Sequence, residues 1–149
     1  MQPMPSSTPS VLPQTIYFRW LAGQDVQLSD HFYAHEFECR CGCGPQIISK
    51  ELVAKLENIR RSLGSSLHVT SGYRCKKKQQ QLRDQGFETA VGVSQHELGN
   101  AADITCLDKS KMIQLQDLCE REFSALGAAN TFLHVDTRKD KIRRWTYGR

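Results

Sequence analysis

SQHELGNAADI, residues 94–104, is the stretch around which the rest of the chain is organised. It contains a histidine and an aspartate, His96 and Asp103, separated by six residues. A neutral imidazole nitrogen and a carboxylate oxygen are both good ligands for a zinc ion. A catalytic zinc takes three protein ligands and keeps one position open, and we expect His134, in FLHVDTR at residues 132–138, to be the third. These residues predict a mononuclear zinc site of the hydrolytic type.

Length and composition indicate one globular domain. The chain has 149 residues, of which 39% are hydrophobic and 24% are charged, and these values are not those of a disordered protein. The formal net charge of +4 suits an anionic partner such as a cell-wall polymer. It is too small to indicate nucleic acid, and we expect no nucleic-acid partner.

No apolar run approaches the ~20 residues that a membrane span needs. The first residues have neither the positive region nor the apolar region of a secretory signal peptide. We therefore expect a target outside the cytoplasm to be reached another way, for example through lysis or as part of a virus particle. Residues 1–14 are rich in Ser, Pro and Gln and are interpreted as a flexible arm, and residues 15–149 as the domain.

The hydrophobic pattern predicts an α+β fold. Residues 49–63 have apolar side chains at steps of three and four, with Ser49 able to cap the start of a helix and Gly64 able to end it. The other predicted elements are helices at 76–85 and 110–123, strands at 15–21, 67–70, 101–105 and 131–137, and a turn at 127–130. Helices outside a mainly antiparallel sheet make the predicted class α+β.

Six cysteines are present: Cys39, Cys41, Cys43, Cys75, Cys106 and Cys119. The last two lie in apolar surroundings and are expected to be buried thiols. In an extended backbone the first three would face the same side, and a small structural metal site could be completed by Cys75, His31 or His35. Ligand pairs in structural zinc sites are usually two to four residues apart, so the spacing here favours one local disulfide or free thiols.

Three segments together resemble the M15 family of zinc D-Ala-D-Ala peptidases: TSGYR (residues 70–74), SQHELGNAADI and FLHVDTR. The closest similarity is to the phage and bacterial murein-peptidase branch, and it covers about residues 28 to 145. The resemblance implies a hedgehog/DD-peptidase-like single domain, with an antiparallel sheet and flanking helices. It also implies Zn2+ as the cofactor.

The resemblance implies roles for particular residues. His96, Asp103 and His134 would be the zinc ligands. Arg74 would hold a substrate carboxylate or carbonyl near the metal, since a guanidinium binds carboxylates through two hydrogen bonds and can stabilise an oxyanion. The alternative for Arg74 is a surface salt bridge. Ser94 and Gln95 precede the first ligand, and they are assigned to the substrate-binding loop, whose shape they would determine.

The general base is the point at which this chain departs from its relatives. Many family members carry an acidic residue three positions before the last ligand, where this chain has Thr131. Asp136 lies two residues after His134, hence on the same strand face, and is either the catalytic base or a partner that fixes a ligand imidazole. Glu97, beside the first ligand, is a further candidate.

The function expected from the resemblance is hydrolysis of peptide bonds in peptidoglycan, in the stem peptide or the cross-link. Stem peptides contain D-residues and free carboxylates, which suits a mildly basic site with Arg74. Two alternatives stay open: an inactive wall-binding module, and a structural virion protein whose partners are other phage proteins. The expected location is a phage virion, or the host cytoplasm with delivery to the cell wall. The sequence leaves open which bond is cut, and whether as carboxypeptidase or endopeptidase.

Overall fold

The computed structural model of the protein describes residues 16–87 and 94–147. The strands are β1 (Tyr17–Leu21), β2 (Pro45–Ser49), β3 (Leu67–Ser71), β4 (Ala101–Cys106), β5 (Ala125–Ala128), β6 (Leu133–Asp136) and β7 (Arg143–Thr146). The helices are α1 (Lys50–Leu63), α2 (Lys76–Asp84) and α3 (Met112–Glu122), with short 3-10 turns at Ala34–Phe37 and Lys109–Lys111.

Two sheets carry the fold. β1 and β2 form an antiparallel pair, and the other strands form a five-stranded sheet in the order β3-β4-β6-β5-β7. Neighbours in the larger sheet are antiparallel except β5 and β7, which run parallel. The predicted α+β class is confirmed, and the sheet is mixed rather than wholly antiparallel.

The larger sheet has one apolar face and one polar face. Alternate residues of a strand point to opposite sides, so Ala102, Ile104 and Cys106 of β4 join the hydrophobic core while Asp103 faces away from it. β6 follows the same rule, since Leu133 and Val135 are core residues and His134 lies on the polar face. The core is completed by apolar side chains of α1 and α3.

Helix α1 has the start and end that the sequence predicts. The Ser49 side chain accepts a hydrogen bond from the backbone N–H of Leu52, and Gly64 ends the helix in the left-handed conformation at φ 71°. Its apolar stripe is buried against the sheet and α3, and consists of Leu52, Val53, Leu56, Ile59 and Leu63. The predicted buried state of Cys106 and Cys119 is confirmed, since both have 0% exposure.

Three strands were not predicted: β2, β5 and β7. The predicted turn at 127–130 is wrong for Gly127 and Ala128, which belong to β5. The proposed arm at residues 1–14 lies outside the described residues. In the part of the chain that is described, no helix is long and apolar enough to cross a membrane.

A buried carboxylate on α1, that of Glu57, holds the loop that precedes the first 3-10 turn against the helix. Glu57 is 4% exposed and accepts hydrogen bonds from the Ser29 hydroxyl at 2.6 Å and the His31 backbone N–H at 2.9 Å. The His31 ring nitrogen Nδ1 lies 2.6 Å from the same carboxylate. Burial raises the pKa of Glu57, but the hydrogen bonds from Ser29 and His31 outweigh it and lower this pKa to about 2.

We expect Glu57→Gln to lower the free energy of unfolding near neutral pH by about 2 kcal/mol, because it removes charged hydrogen bonds from a buried site. The pKa of Glu57 is lower in the folded state than its ordinary value of 4.5. Its stabilising effect is therefore complete above that value and is lost as the pH falls toward 2. Denaturant titrations across this range should show a steeper acid loss in the wild type than in Glu57→Gln. Glu120→Gln, a change at an exposed position of α3, serves as the control.

Candidate metal centre

One row of residues crosses all five strands of the larger sheet. In register, Ser71 pairs with Asp103, Asp103 with His134, His134 with Gly127, and Gly127 with Trp145. Paired residues on neighbouring strands point to the same side of a sheet. The sheet therefore places Asp103 and His134 next to one another on its polar face.

The third residue of the centre comes from a turn rather than a strand. His96 lies in the turn of residues 95–99, which ends at Gly99 with φ 75°. A Cβ at Gly99 would lie 3.0 Å from the backbone oxygen of Ile47, so glycine satisfies both the conformation and the close approach. The turn is also attached to the segment after β3, because the Arg74 backbone N–H donates to the His96 carbonyl.

The structure brings the three predicted ligands together. Asp103 Oδ1 lies 3.3 Å from His96 Nε2 and 3.1 Å from His134 Nδ1. The ligand atoms of the three residues all lie within 4.8 Å of one another, and each residue is buried. The donor set is two imidazole nitrogens and one carboxylate oxygen, which suits a divalent transition metal.

The second nitrogen of each imidazole has its own partner. His96 Nδ1 lies 2.7 Å from the Gly72 carbonyl oxygen, and His134 Nε2 lies 2.8 Å from Asp136 Oδ2. Both oxygens are acceptors, so each of these nitrogens carries the proton and the opposite nitrogen faces Asp103. Such outer partners fix the tautomer and orientation of metal-binding histidines.

The three groups shift one another's protonation. Burial lowers the pKa of His96 and keeps its imidazole neutral. Burial alone would raise the pKa of Asp103, but the nearby imidazoles outweigh it and hold this pKa well below its usual range. For His134, burial acts to lower the pKa, but hydrogen bonds to Asp103 and Asp136 outweigh it and raise the pKa. A metal ion binding here would take the place of a proton on His134.

Arg74 lies against the centre. Its guanidinium donates to Asp103 Oδ2 at 3.1 Å, to the Ser71 hydroxyl at 3.0 Å and to the Gln79 side-chain oxygen at 3.3 Å. The side chain of Arg74 is 16% exposed and that of Asp103 is 9% exposed, so this is not a surface salt bridge. The guanidinium has five N–H groups, so hydrogens remain beyond these three bonds.

Asp136 is fully buried, and its hydrogen-bond partners His134 and Arg138 lie on β6 and directly after it. Oδ2 lies against His134, and Arg138 donates to the carboxylate from its backbone N–H and from two guanidinium nitrogens. Burial raises the pKa of Asp136, but the hydrogen bonds from His134 and Arg138 outweigh it and lower this pKa to about 2. A carboxylate with these contacts is well placed to orient His134 and is a weak proton acceptor.

The remaining predicted positions lie around the first ligand. Ser94 is 4% exposed and its hydroxyl accepts a hydrogen bond from the His96 backbone N–H. The Gln95 carbonyl accepts from Leu98 and Asn100, which closes the turn. These contacts support a loop-shaping role, and substrate binding by the two residues stays a prediction. Glu97 is partly exposed, and Thr131 is exposed before β6.

Two residues of the centre were not identified from the sequence. Trp145 packs on His134 with ring centroids 5.3 Å apart, and it occupies the space where a side chain at Gly127 would lie. A Cβ at Gly127 would be 2.4 Å from the indole ring. Arg138 is the second, as the partner of Asp136. Arg138 is part of the FLHVDTR motif, but a hydrogen bond between two residues only two positions apart at the end of a strand leaves no periodic pattern in the sequence.

A model of the family described as Peptidase M15 matches residues 30–136 of the chain. The matched range contains all three ligand candidates together with Arg74 and Asp136. No curated protein and no solved structure matches the chain.

We expect Asp136→Asn to weaken the binding of a divalent metal by about 10- to 100-fold, because it disturbs the partner that orients His134. Titration of the apoprotein with zinc in the presence of a competing indicator measures this affinity. Asp117→Asn, which removes an exposed carboxylate paired with Arg121 on α3, should leave the affinity unchanged. If Asp136→Asn kept full metal affinity and lost turnover, Asp136 would be the proton acceptor rather than an orienting residue.

Proposed function

The chain belongs to the peptidase M15 family, and from that premise we propose that it is a zinc metallopeptidase that hydrolyses peptide bonds of peptidoglycan. Family members are metal-dependent peptidases. The observation that carries the proposal is the buried set of His96, Asp103 and His134, whose ligand atoms converge on one point. The outer hydrogen bonds of both imidazoles leave the opposite ring nitrogens directed at Asp103, where a metal would bind in place of the proton on His134.

The choice of zinc follows from the donor set. Two imidazoles and one carboxylate are a known ligand combination of catalytic zinc, which keeps a further position open for water or substrate. When bound, zinc would supply Lewis acidity, which polarises a scissile carbonyl and makes a water molecule acidic enough to attack near neutral pH.

Arg74 supplies a fixed positive charge beside the metal ligands. Its bonds to Ser71 and Gln79 hold the guanidinium in one orientation, and its bond to Asp103 directs it toward the centre. The remaining N–H groups can bind a substrate carboxylate or stabilise the oxyanion that develops during amide hydrolysis. Peptidoglycan stem peptides carry free carboxylates and amide bonds, and this chemistry supports them as the substrate class.

Proton transfer requires a group that can accept and release a proton, and a carboxylate is one such group. Asp136 is bonded on both oxygens and its pKa is low, so we assign it to positioning His134. Glu97 is partly exposed next to His96 and is the carboxylate we propose as the base. Its variant Glu97→Gln should lose turnover while it keeps its metal.

The activity test is digestion of purified bacterial sacculi, with mass spectrometry of the released fragments. We expect the wild-type protein to release muropeptides, a chelator to stop release, and added zinc to restore it. His96→Ala should lose metal and activity together, whereas His68→Ala, at an exposed position of β3, should lose neither. The fragments would identify the bond that is cut and distinguish a carboxypeptidase from an endopeptidase. Metal bound at His96 without any release would instead favour a wall-binding module or a structural virion protein on the same fold.

Arg74→Lys separates charge from geometry at the centre. Lysine keeps the positive charge but cannot form the forked hydrogen bonds of a guanidinium. We therefore expect kcat/KM for muropeptides to fall by about 10- to 1000-fold while zinc content is retained. Arg121→Lys, on the exposed side of α3, should match the wild type in the same assay. An unchanged kcat/KM in Arg74→Lys would remove Arg74 from substrate binding.

The proposal extends to a phage origin in the murein-peptidase branch, which rests on the similarity of the three motifs alone. A peptidase carried on a virion would copurify with assembled particles, and its partners would be other virion proteins. A soluble monomer absent from particles would contradict this part of the proposal without affecting the peptidase assignment.

A further inference from the structure

Four cysteines from two separate segments meet at one point and share no residue with the His-Asp-His set. Cys39, Cys41 and Cys43 lie in the loop before β2, and Cys75 lies at the start of α2. The sulfur atoms of Cys39 and Cys41 are 3.3 Å apart, those of Cys41 and Cys75 are 3.3 Å apart, and those of Cys39 and Cys75 are 3.7 Å apart. All four sulfur atoms lie within 4.8 Å of one another. We call this group the cysteine cluster.

We propose that the cysteine cluster binds a second zinc ion as a structural tetrathiolate site. Structural zinc sites are closed and tetrahedral, with Zn–S bonds of about 2.3 Å, which places the sulfur atoms about 3.8 Å apart. The separations in the cluster are close to this value. A disulfide would join only two of the four sulfur atoms, at about 2.05 Å. Four thiolates at these distances repel one another unless a cation lies among them.

The loop brings three thiols to one side despite their one-residue spacing. Gly42 takes a positive φ of 68°, which lets the backbone turn between Cys41 and Cys43. The buried Gln46 side chain supports the loop, since it accepts from the Cys39 backbone N–H at 2.7 Å and donates to the Cys43 carbonyl. The spacing that favoured a disulfide or free thiols is therefore compatible with a metal site.

The fourth ligand is a cysteine rather than a histidine. Cys75 brings its sulfur to the cluster, while His31 lies on Glu57 and His35 lies 2.9 Å from Asp25. All four ligands would thus be thiolates, a combination typical of structural zinc.

The surroundings of the cluster suit a negative charge. A zinc ion with four thiolates carries a net charge of about −2. The Cys75 backbone N–H lies 3.4 Å from Cys39 Sγ, and the Lys78 backbone N–H lies 3.5 Å from Cys75 Sγ. N–H groups directed at sulfur stabilise the thiolate form, as outer-shell donors do around metal ligands. The run Lys76-Lys77-Lys78 and the N-terminus of α2 add positive charge at the same place.

Such a zinc would fasten two parts of the chain to each other. The cysteine loop and α2 are held together near Tyr73, whose backbone N–H donates to the Phe37 carbonyl at 2.8 Å. A Cβ at Gly72 would lie 2.6 Å from Phe37 Cα, so the two backbones are in direct contact. Binding at the cluster would lock this contact, and it shares no ligand with the peptidase centre.

The test is metal analysis of the full-length protein, purified under reducing conditions in the presence of zinc. We expect one zinc per site, hence two per wild-type chain. The double variant Cys41→Ser/Cys75→Ser should lose one zinc and keep the other, and His96→Ala/His134→Ala should show the reverse. Cys106→Ala/Cys119→Ala, which changes the two cysteines outside the cluster, should keep both. If the histidine variant keeps the wild-type zinc content and the cysteine variant loses zinc, the proposed peptidase centre fails and the cysteine site stands. A cysteine variant that keeps the wild-type zinc content overturns the cysteine site.

Cobalt substitution gives a readout that does not depend on whether the cysteine variant folds. Thiolate ligands give cobalt an intense charge-transfer absorption in the near ultraviolet. We expect this absorption in the wild type and in His96→Ala/His134→Ala. Its absence from both proteins would overturn the proposal. A disulfide between cluster cysteines, found by mass spectrometry of protein alkylated at cell lysis without reductant, would overturn it as well.

Discussion

The carboxylate of Asp103 is the charge on which the centre depends. It is buried, and a buried carboxylate is strongly destabilising unless charged or hydrogen-bonding groups surround it. Here Arg74 lies on one oxygen, and His96 and His134 both lie near the other. Each of these groups comes from a different part of the chain. The fold therefore has to bring together two strands, a turn and the segment after β3 before this charge can be buried.

The five-stranded sheet makes this possible because one of its faces is apolar and the other is polar. One face is apolar and is covered by α1 and α3, which supply most of the hydrophobic stabilisation. The other carries the row from Ser71 to Trp145, in which each residue is set by strand register. A slip of one residue in β4 would exchange Asp103 for an apolar neighbour and would place the carboxylate in the core. The same alternation that builds the core thus fixes the position of the ligands.

Much of this could be predicted from the sequence, and the failures have physical causes. Helix α1 and the ligand strands have clear periodicity, and the motifs around His96 and His134 carry the centre. β5 was missed because Ala125–Ala128 is short and contains Gly127, which locally indicates a turn. Position 127 must be glycine because Trp145 occupies the space where a side chain at that position would lie. This contact forms only when β7 pairs with β5, so the sequence of β5 alone does not reveal it. The cysteine cluster was judged from local spacing, whereas its fourth member lies 36 residues from Cys39.

The short segment after β3 links the two groups of metal-binding residues. The Gly72 carbonyl fixes the His96 ring, and the backbone N–H of Arg74 fixes the turn that carries the same histidine. The guanidinium of Arg74 then reaches Asp103, while the next residue, Cys75, belongs to the cysteine cluster. Residues 72–75 are consecutive, so no flexible linker separates the contacts made with the metal centre from the cysteine cluster. A rigid cluster at Cys75 would therefore limit the movement of Arg74, and the accuracy with which a guanidinium is held decides how well it stabilises a developing charge.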